Sequence, residues 1–206
     1  MPDKGALVIL PAAGTGRRLG ENKAMARLLG KPLLLWTIAA LSASSNVAEI
    51  YPVIKDEDFG EVEAMVQGLK QVGGIVKGGP ERQDSVMNAL MELKGRTEPN
   101  RIVLVHDGAR PLVSPDIIER CIKGLDGHEG AVAAVPPNDT VKRVDNDDVV
   151  VSTLDRDMLR LVQTPQCFCF GTLLEAYESA AQDGVTATDD SALVERLGGR
   201  VRMVMG

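Results

Sequence analysis

No stretch of this 206-residue sequence is apolar for long enough to span a bilayer. The opening MPDKGALVILP is no secretion signal either, because its apolar run is short and no small-residue cleavage site follows. A cytoplasmic protein is therefore expected. Cysteine is scarce: Cys121, Cys167 and Cys169 are an odd set with no CxxC pair, which excludes a disulfide framework and a thiolate zinc site. Cys167 and Cys169 are two apart, so on a strand they point to one face as small apolar side chains. Positive charge is also lacking. The net charge of −6 excludes a general nucleic-acid surface, so no nucleic-acid partner is expected. Cations are concentrated locally instead, at Arg17, Arg18 and Lys23 beside a glycine loop.

What is present is ordinary for a globular chain: 44% apolar and 25% charged residues, enough for one well-buried domain over 1–206. Short apolar runs alternate with helix-length amphipathic segments. Strands are expected at Ala6–Pro11, Glu49–Ile54, Gly74–Val76, Arg101–His106 and Ala131–Val135. Helices are expected at Leu33–Ser42, around Phe59–Leu69, at Gln83–Leu93 and at Pro115–Leu125. Such β and α alternation implies an α/β fold with a mostly parallel sheet covered on both faces. The alternation breaks at 139–153, where TVKRVDNDDVVVS is β-prone at both ends around a polar turn. That segment reads as a projecting β-hairpin arm, and a ribbon outside a sheet needs a cover, so a homodimer through the arm is expected. A strand at Gln166–Phe170, helices around Leu173–Ala181 and Ser191–Leu197, and a last strand at Arg200–Met205 complete the chain.

The first strand ends in PAAGTGRRLGENK. Glycines at that point let backbone N–H groups approach a phosphate. Neither common fingerprint fits, since Leu19 stands where both the dinucleotide pattern and the P-loop pattern need glycine. What remains is small residues for a base or ribose and cations for a triphosphate whose charge grows as pyrophosphate departs. Asp107, in VHDGARP after RIVLV, is a strand-end carboxylate suited to Mg²⁺, which takes few protein oxygens plus phosphates and water. Arg110 follows as a candidate for a second phosphate. His106 reads as a packed strand residue. The run GGPERQDSV at 78–86 adds two glycines and polar residues at a helix start, with Asp84 or Ser85 as the expected cap.

Three runs in order, PAAGTGRR…K, GGPERQDSV and VHDGARP, resemble the 2-C-methyl-D-erythritol 4-phosphate cytidylyltransferases. The likeness continues through PPNDTVKR, LDRDML, TPQCF and TDDSALVE, so it spans nearly the whole chain. It implies a Rossmann-like nucleotidyltransferase fold in three layers, with CTP and a small polyol phosphate as ligands and Mg²⁺ as cofactor. It also implies roles. Pro11, Ala12, Ala13, Gly14 and Gly16 would hug the nucleotide. Arg18 and Lys23 would stabilise the triphosphate during attack. Gly79, Arg82 and Ser85 would form the cytosine and ribose pocket, with Gly108 beside the ribose and Asp107 on the metal. The acceptor would be gripped by Arg110 and Thr164 of one subunit and by Thr140 and Arg156 from its partner's arm.

The sequence departs from the family pattern at several points. Ala24 and Met25 replace the usual glutamine and aromatic, Pro80 an acid, and Gly108 an alanine. The chain stops at RVRMVMG, where the family continues with a lysine-containing strand and turn and a closing helix, so truncation after Gly206 is expected. Ribitol-phosphate cytidylyltransferases share most of these motifs and stay open as an alternative for the acceptor. A silent nucleotide-binding protein and a nucleotidyltransferase for another base are further alternatives.

Overall fold

The computed structural model describes residues 5–14 and 22–206. In chain order its first half runs β1 (Ala6–Pro11), β2 (Arg27–Leu28), β3 (Lys31–Pro32), α1 (Leu33–Ser42), β4 (Val47–Ile54), α2 (Phe59–Val66), β5 (Val76–Lys77), α3 (Arg82–Leu93) and β6 (Ile102–Val105). The second half runs α4 (Pro115–Gly124), β7 (Gly130–Val135), β8 (Lys142–Val144), β9 (Val150–Thr153), β10 (Leu161–Cys169), α5 (Phe170–Gln182), α6 (Asp190–Arg196) and β11 (Val201–Met205). Among the described residues seven strands form one sheet in the order β11-β7-β10-β6-β1-β4-β5. All pairs are parallel except those of β10, which runs against both β6 and β7.

Period-two alternation of side chains assigns each strand residue to a face. In β1, Ala6, Val8 and Leu10 pack with Leu34, Ile38 and Leu41 of α1, Val62 and Val66 of α2, and Ile118 of α4. Leu7 and Ile9 face the other way, onto Val86 and Leu90 of α3, Leu173 of α5 and Leu193 of α6. Helices therefore cover both faces, and the expected three-layer α/β arrangement with a mostly parallel sheet is found.

Several boundaries differ from the sequence expectation for identifiable reasons. Helix α2 ends at Val66, three residues early, because Gln67 leaves the helical region and Gly68 takes φ +83°. Strand β5 is two residues long and starts at Val76, where it meets Val53 and Ile54 of β4. Strand β10 begins at Leu161, five residues earlier than expected. Its first part is exposed and pairs with Ala134 and Val135 across an irregularity between Val162 and Gln166, so no apolar alternation announces it. The short β2–β3 ribbon was not foreseen.

The 139–153 segment does form a hairpin outside the main sheet, with β8 and β9 antiparallel. Asp145 closes its turn by accepting from the N–H groups of Asp147 (3.0 Å) and Val149 (2.9 Å), and Asp148 sits at φ +60°. Val144, Val149, Val150 and Val151 are all exposed, an unusual concentration for a solvated ribbon.

The cysteines pack as small apolar groups. Cys121 on α4 and Cys167 on β10 are fully buried. Burial pushes the Cys121 thiol up to about 12 and raises Cys167 well above the ordinary thiol range. Because the folded values exceed the unfolded ones, this contribution to stability is present below the ordinary thiol pKa of 9.0 and is lost as pH rises beyond it. The expected result is that two thiols resist an aromatic disulfide reagent at pH 8 until denaturant is added, and that Tm holds up to about pH 9 and declines as pH rises toward about 12. Rapid modification of all three thiols in the native protein would contradict this packing.

Candidate active site

The parallel strands β1, β4, β5 and β6 end along one edge of the sheet, where ligands of open α/β sheets bind. Backbone hydrogen bonds tie these ends together: the Ala12 N–H donates to Val53 O (2.8 Å), Gly78 N–H to Ile54 O (2.8 Å) and Gly108 N–H to Pro11 O (2.9 Å). Two glycines make the closeness achievable. A Cβ on Gly78 would overlap the Cβ of Ala13, and one on Gly108 would lie 2.9 Å from the Cβ of Ala12. The Gly108 carbonyl is held from below by buried Thr37 of α1, whose Oγ1 lies 2.9 Å away. Alanine at Gly78 should force the 12–14 backbone outward at a cost of roughly 1–3 kcal/mol. That cost would appear as a lowered Tm and a raised KM for nucleotide; if neither changes, the two loops are not in register.

These strand ends surround a cavity of about 470 Å³, a suitable volume for a small organic ligand. It is lined by Pro11, Ala12, Ala13 and Gly14 after β1, by Asn22 and Lys23, and by Arg82, Ser85, Asp107 and Gly108. Most of the residues singled out from the sequence for nucleotide binding thus come together. Gly79 is set back from the lining: its N–H donates to Ser85 Oγ (3.1 Å) and a Cβ there would overlap Asp84. Gly16 and Arg18 lie outside the described residues.

A second cavity, of about 640 Å³, opens beside the first. Because β10 is antiparallel, it brings its early residues Gln163 and Thr164 to the edge where β6 ends, and both line this cavity with Arg110 and Thr188. Asp107 and Arg82 line both cavities and so form the wall between them. Thr140 and Arg156 line neither. Both are exposed at the base of the arm, with Arg156 Nη1 donating to Asn138 O (3.0 Å).

The start of α3 corrects one expectation. Its cap is Glu81, not Asp84 or Ser85: the Glu81 side chain accepts from the Asp84 N–H while Asp84 accepts from the Glu81 N–H. This reciprocal pair satisfies two orphan donors and frees Ser85 Oγ to hold Gly79. His106 is packed, as expected. Burial pushes its pKa down, so it is neutral at pH 7, and Nε2 faces the Arg110 carbonyl at 3.0 Å.

Charge around Asp107 is organised more closely than the sequence suggests. Its Oδ2 accepts from Arg110 Nε (2.9 Å) and its Oδ1 from Arg82 Nε (3.3 Å). The rest of the Arg82 guanidinium is committed to Asp190, with Nη1–Oδ1 3.0 Å and Nη2–Oδ2 2.7 Å. Burial alone would lower the Arg82 pKa, but the Asp190 carboxylate more than reverses this. Asp190 is itself fully buried and also accepts from the Tyr177 hydroxyl. Neither Asp190 nor Tyr177 was foreseen. Asp190 stands within TDDSALVE, but its partner is 108 residues away.

Among the described residues no group of three or more His, Cys, Asp or Glu side chains gathers as a metal cage. One carboxylate facing a cavity suits Mg²⁺ nonetheless, because this ion keeps waters and takes substrate phosphate oxygens. Asp107, part-exposed and on the shared wall, meets that requirement.

The family model for 2-C-methyl-D-erythritol 4-phosphate cytidylyltransferase matches residues 6–206. The chain belongs to this cytidylyltransferase family. A 2-C-methyl-D-erythritol 4-phosphate cytidylyltransferase of Thermosynechococcus vestitus is 44% identical over 203 residues, covering 97% of this chain and 86% of that protein. One from Symbiobacterium thermophilum is 45% identical over 201 residues, covering 97% and 83%. Among solved structures, the 4-diphosphocytidyl-2C-methyl-D-erythritol synthase of Anaerococcus prevotii superposes with a TM-score of 0.86 at 29% identity, over 98% of this chain and 89% of that one. The cytidylyltransferase of Thermus thermophilus superposes with a TM-score of 0.76 at 32% identity, over 98% and 89%. The cytidylyltransferase match thus includes every strand end of the two-cavity edge. No helix among the described residues is long and apolar enough to cross a membrane.

Proposed function

We propose that this chain transfers the cytidylyl group of CTP to 2-C-methyl-D-erythritol 4-phosphate, forming 4-diphosphocytidyl-2-C-methyl-D-erythritol and pyrophosphate, a step of non-mevalonate isoprenoid synthesis. The observation that carries the reading, in a member of this family, is the wall of Asp107 and Arg82 shared by two cavities. One cavity is glycine-lined and takes the nucleotide. The other is polar and takes the acceptor. The reacting phosphorus then lies at their junction.

A phosphate oxygen of the acceptor attacks the α-phosphorus of CTP in line, and the bond from that phosphorus to the bridging oxygen of the β-phosphate breaks. A phosphate dianion is already a nucleophile, so no general base or covalent enzyme intermediate is required. The backbone of Ala12, Ala13 and Gly14 approaches the nucleotide without side-chain obstruction. Ser85, held by the Gly79 N–H, contributes to the base and ribose pocket, and Gly108 lies beside the ribose. Lys23 and Arg18 compensate the charge that develops on the departing pyrophosphate. Mg²⁺, bound through Asp107, would supply further neutralisation of the triphosphate.

Arg110 and Thr164 hold the acceptor from within the subunit. Thr140 and Arg156 act from the arm of a partner in a homodimer, which the exposed valines of the ribbon support. The three free thiols are in keeping with a reducing cytosol.

The direct test is pyrophosphate release with CTP and Mg²⁺, comparing methylerythritol 4-phosphate with ribitol 5-phosphate, and ATP, GTP and UTP with CTP. Release only with CTP and methylerythritol phosphate is expected. Preference for ribitol 5-phosphate would reassign the acceptor and leave the nucleotide chemistry in place.

A further inference from the structure

A buried carboxylate that touches neither cavity needs an explanation, because an interior charge is costly unless fully paired and is often replaceable by apolar residues without loss of stability. Asp190 is such a group: it is fully buried, lines neither cavity, and binds the Arg82 guanidinium through both oxygens. We propose that Asp190 is a positioning residue for the cytidylyl transfer. It fixes Arg82 so that only the Nε edge of the guanidinium meets Asp107. This inference rests on the reaction assigned above.

Three features support it. First, the pairing is directional. A fork-shaped guanidinium held through Nη1 and Nη2 has one remaining donor edge, and that edge reaches Asp107 Oδ1 at 3.3 Å. Second, Asp190 cannot turn away easily. Gln83 Nε2 donates to Val185 O (3.0 Å) and its Oε1 accepts from the Ala187 N–H (2.9 Å). Gln166 Nε2 donates to Asp189 Oδ2 (2.9 Å) and its Oε1 accepts from the Ser191 N–H (2.9 Å). Two glutamines thus clamp the segment on either side of Asp190, and Tyr177 donates to Asp190 from α5. Third, the charges are apportioned. With Asp190 present, most of the Arg82 charge is spent away from the cavity, so Asp107 Oδ1 meets that guanidinium through Nε alone and the further lone pairs of the carboxylate stay open to ligands. Without Asp190, both Nη groups lose their acceptors and the guanidinium turns onto Asp107, occupying the oxygens that the reaction uses.

The runs ERQDSV, TPQCF and TDDSALVE, the first and last joined by an ion pair across 108 residues, are therefore parts of one support beneath Asp107.

The experiment is a double-mutant cycle in steady-state kinetics, corrected for folded fraction, on Asp190→Asn, Asp107→Asn and the double variant. Asp190→Asn is expected to lower kcat roughly tenfold or more, with KM for CTP changed by less than about threefold. The double variant should be no slower than Asp107→Asn alone, since both changes disable the same carboxylate. A purely structural Asp190 would lower Tm and give effects on kcat that multiply, and that outcome would overturn the proposal. Should Asp190→Asn fail to fold, Tyr177→Phe keeps the charge and removes one donor; a kcat loss of about two- to fivefold with the same non-additivity is expected, and full additivity overturns the idea. A readout independent of turnover is the Arg82 Nε–H signal in ¹⁵N NMR, expected to be slow to exchange in the unaltered protein and lost in Asp190→Asn. If the unaltered protein releases no pyrophosphate with any acceptor, the assigned reaction fails, while this signal still decides the positioning role; an unchanged signal overturns it.

Discussion

Replacing Lys23 by alanine is expected to lower kcat for pyrophosphate release by roughly 10²–10³-fold, with KM for CTP altered only severalfold. Lys23 lines the first cavity, and its backbone is anchored on both sides. Asn22 Nδ2 donates to Asp58 (2.8 Å), Asn22 Oδ1 accepts from the Ala24 N–H (3.1 Å), and the Ala24 carbonyl accepts from Leu34 at the start of α1 (2.8 Å). An ammonium presented from so fixed a backbone need not be reorganised when charge moves onto the leaving pyrophosphate. Such an interaction is stronger in the transition state than in the ground state, which is why the loss should fall on kcat. A raised KM with unchanged kcat would instead make Lys23 a ground-state binding group. Lys23→Arg should recover only part of the rate, because the planar fork cannot reproduce a compact ammonium.

Mixing two inactive proteins is expected to restore activity if the site is shared between subunits. Arg156→Ala removes the cation at the base of the arm, and Lys23→Ala removes one that lines the first cavity. In a heterodimer of the two, one site carries both substitutions and the other carries neither. Random reassociation should therefore return about a quarter of the unaltered activity, since half the dimers contain one intact site of two. If Arg156 served its own subunit, every site in the mixture would carry one substitution and nothing would be recovered. The geometry favours the shared arrangement, because Thr140 and Arg156 are exposed and line neither cavity of their own chain. The ribbon between them exposes four valines, a surface that a second subunit would cover. Sedimentation showing only monomer at assay concentration would remove this model.

Much of the site was legible in the sequence because short-range sterics governs it. Ala12, Ala13 and Gly14 directly follow an all-apolar strand, and only small residues there leave backbone accessible to a phosphate. Asp107 follows another such strand, and the rule that ligands collect at carboxyl ends of parallel strands was enough to place it near the first loop. The helices were readable for the same reason: α1 was expected at Leu33–Ser42 and is found there, entered through Pro32. Boundaries failed where the chain gave no periodic signal, as at Leu161–Pro165, whose strand is half exposed and interrupted.

The order of motifs along the chain, the alternation of strands and helices, the glycines at strand ends and the polar hairpin at 139–153 were determined by the sequence itself. Each depends on residues within a few positions of one another. Only the tertiary structure decided that β10 runs antiparallel between β6 and β7 and so brings Thr164 to the second cavity. It alone decided that Arg82 spends its charge on Asp190 rather than turning it wholly toward the ligand. Strand partners and buried ion pairs are chosen by which distant surfaces can be desolvated together, and a pairing across 108 residues leaves no trace in local periodicity.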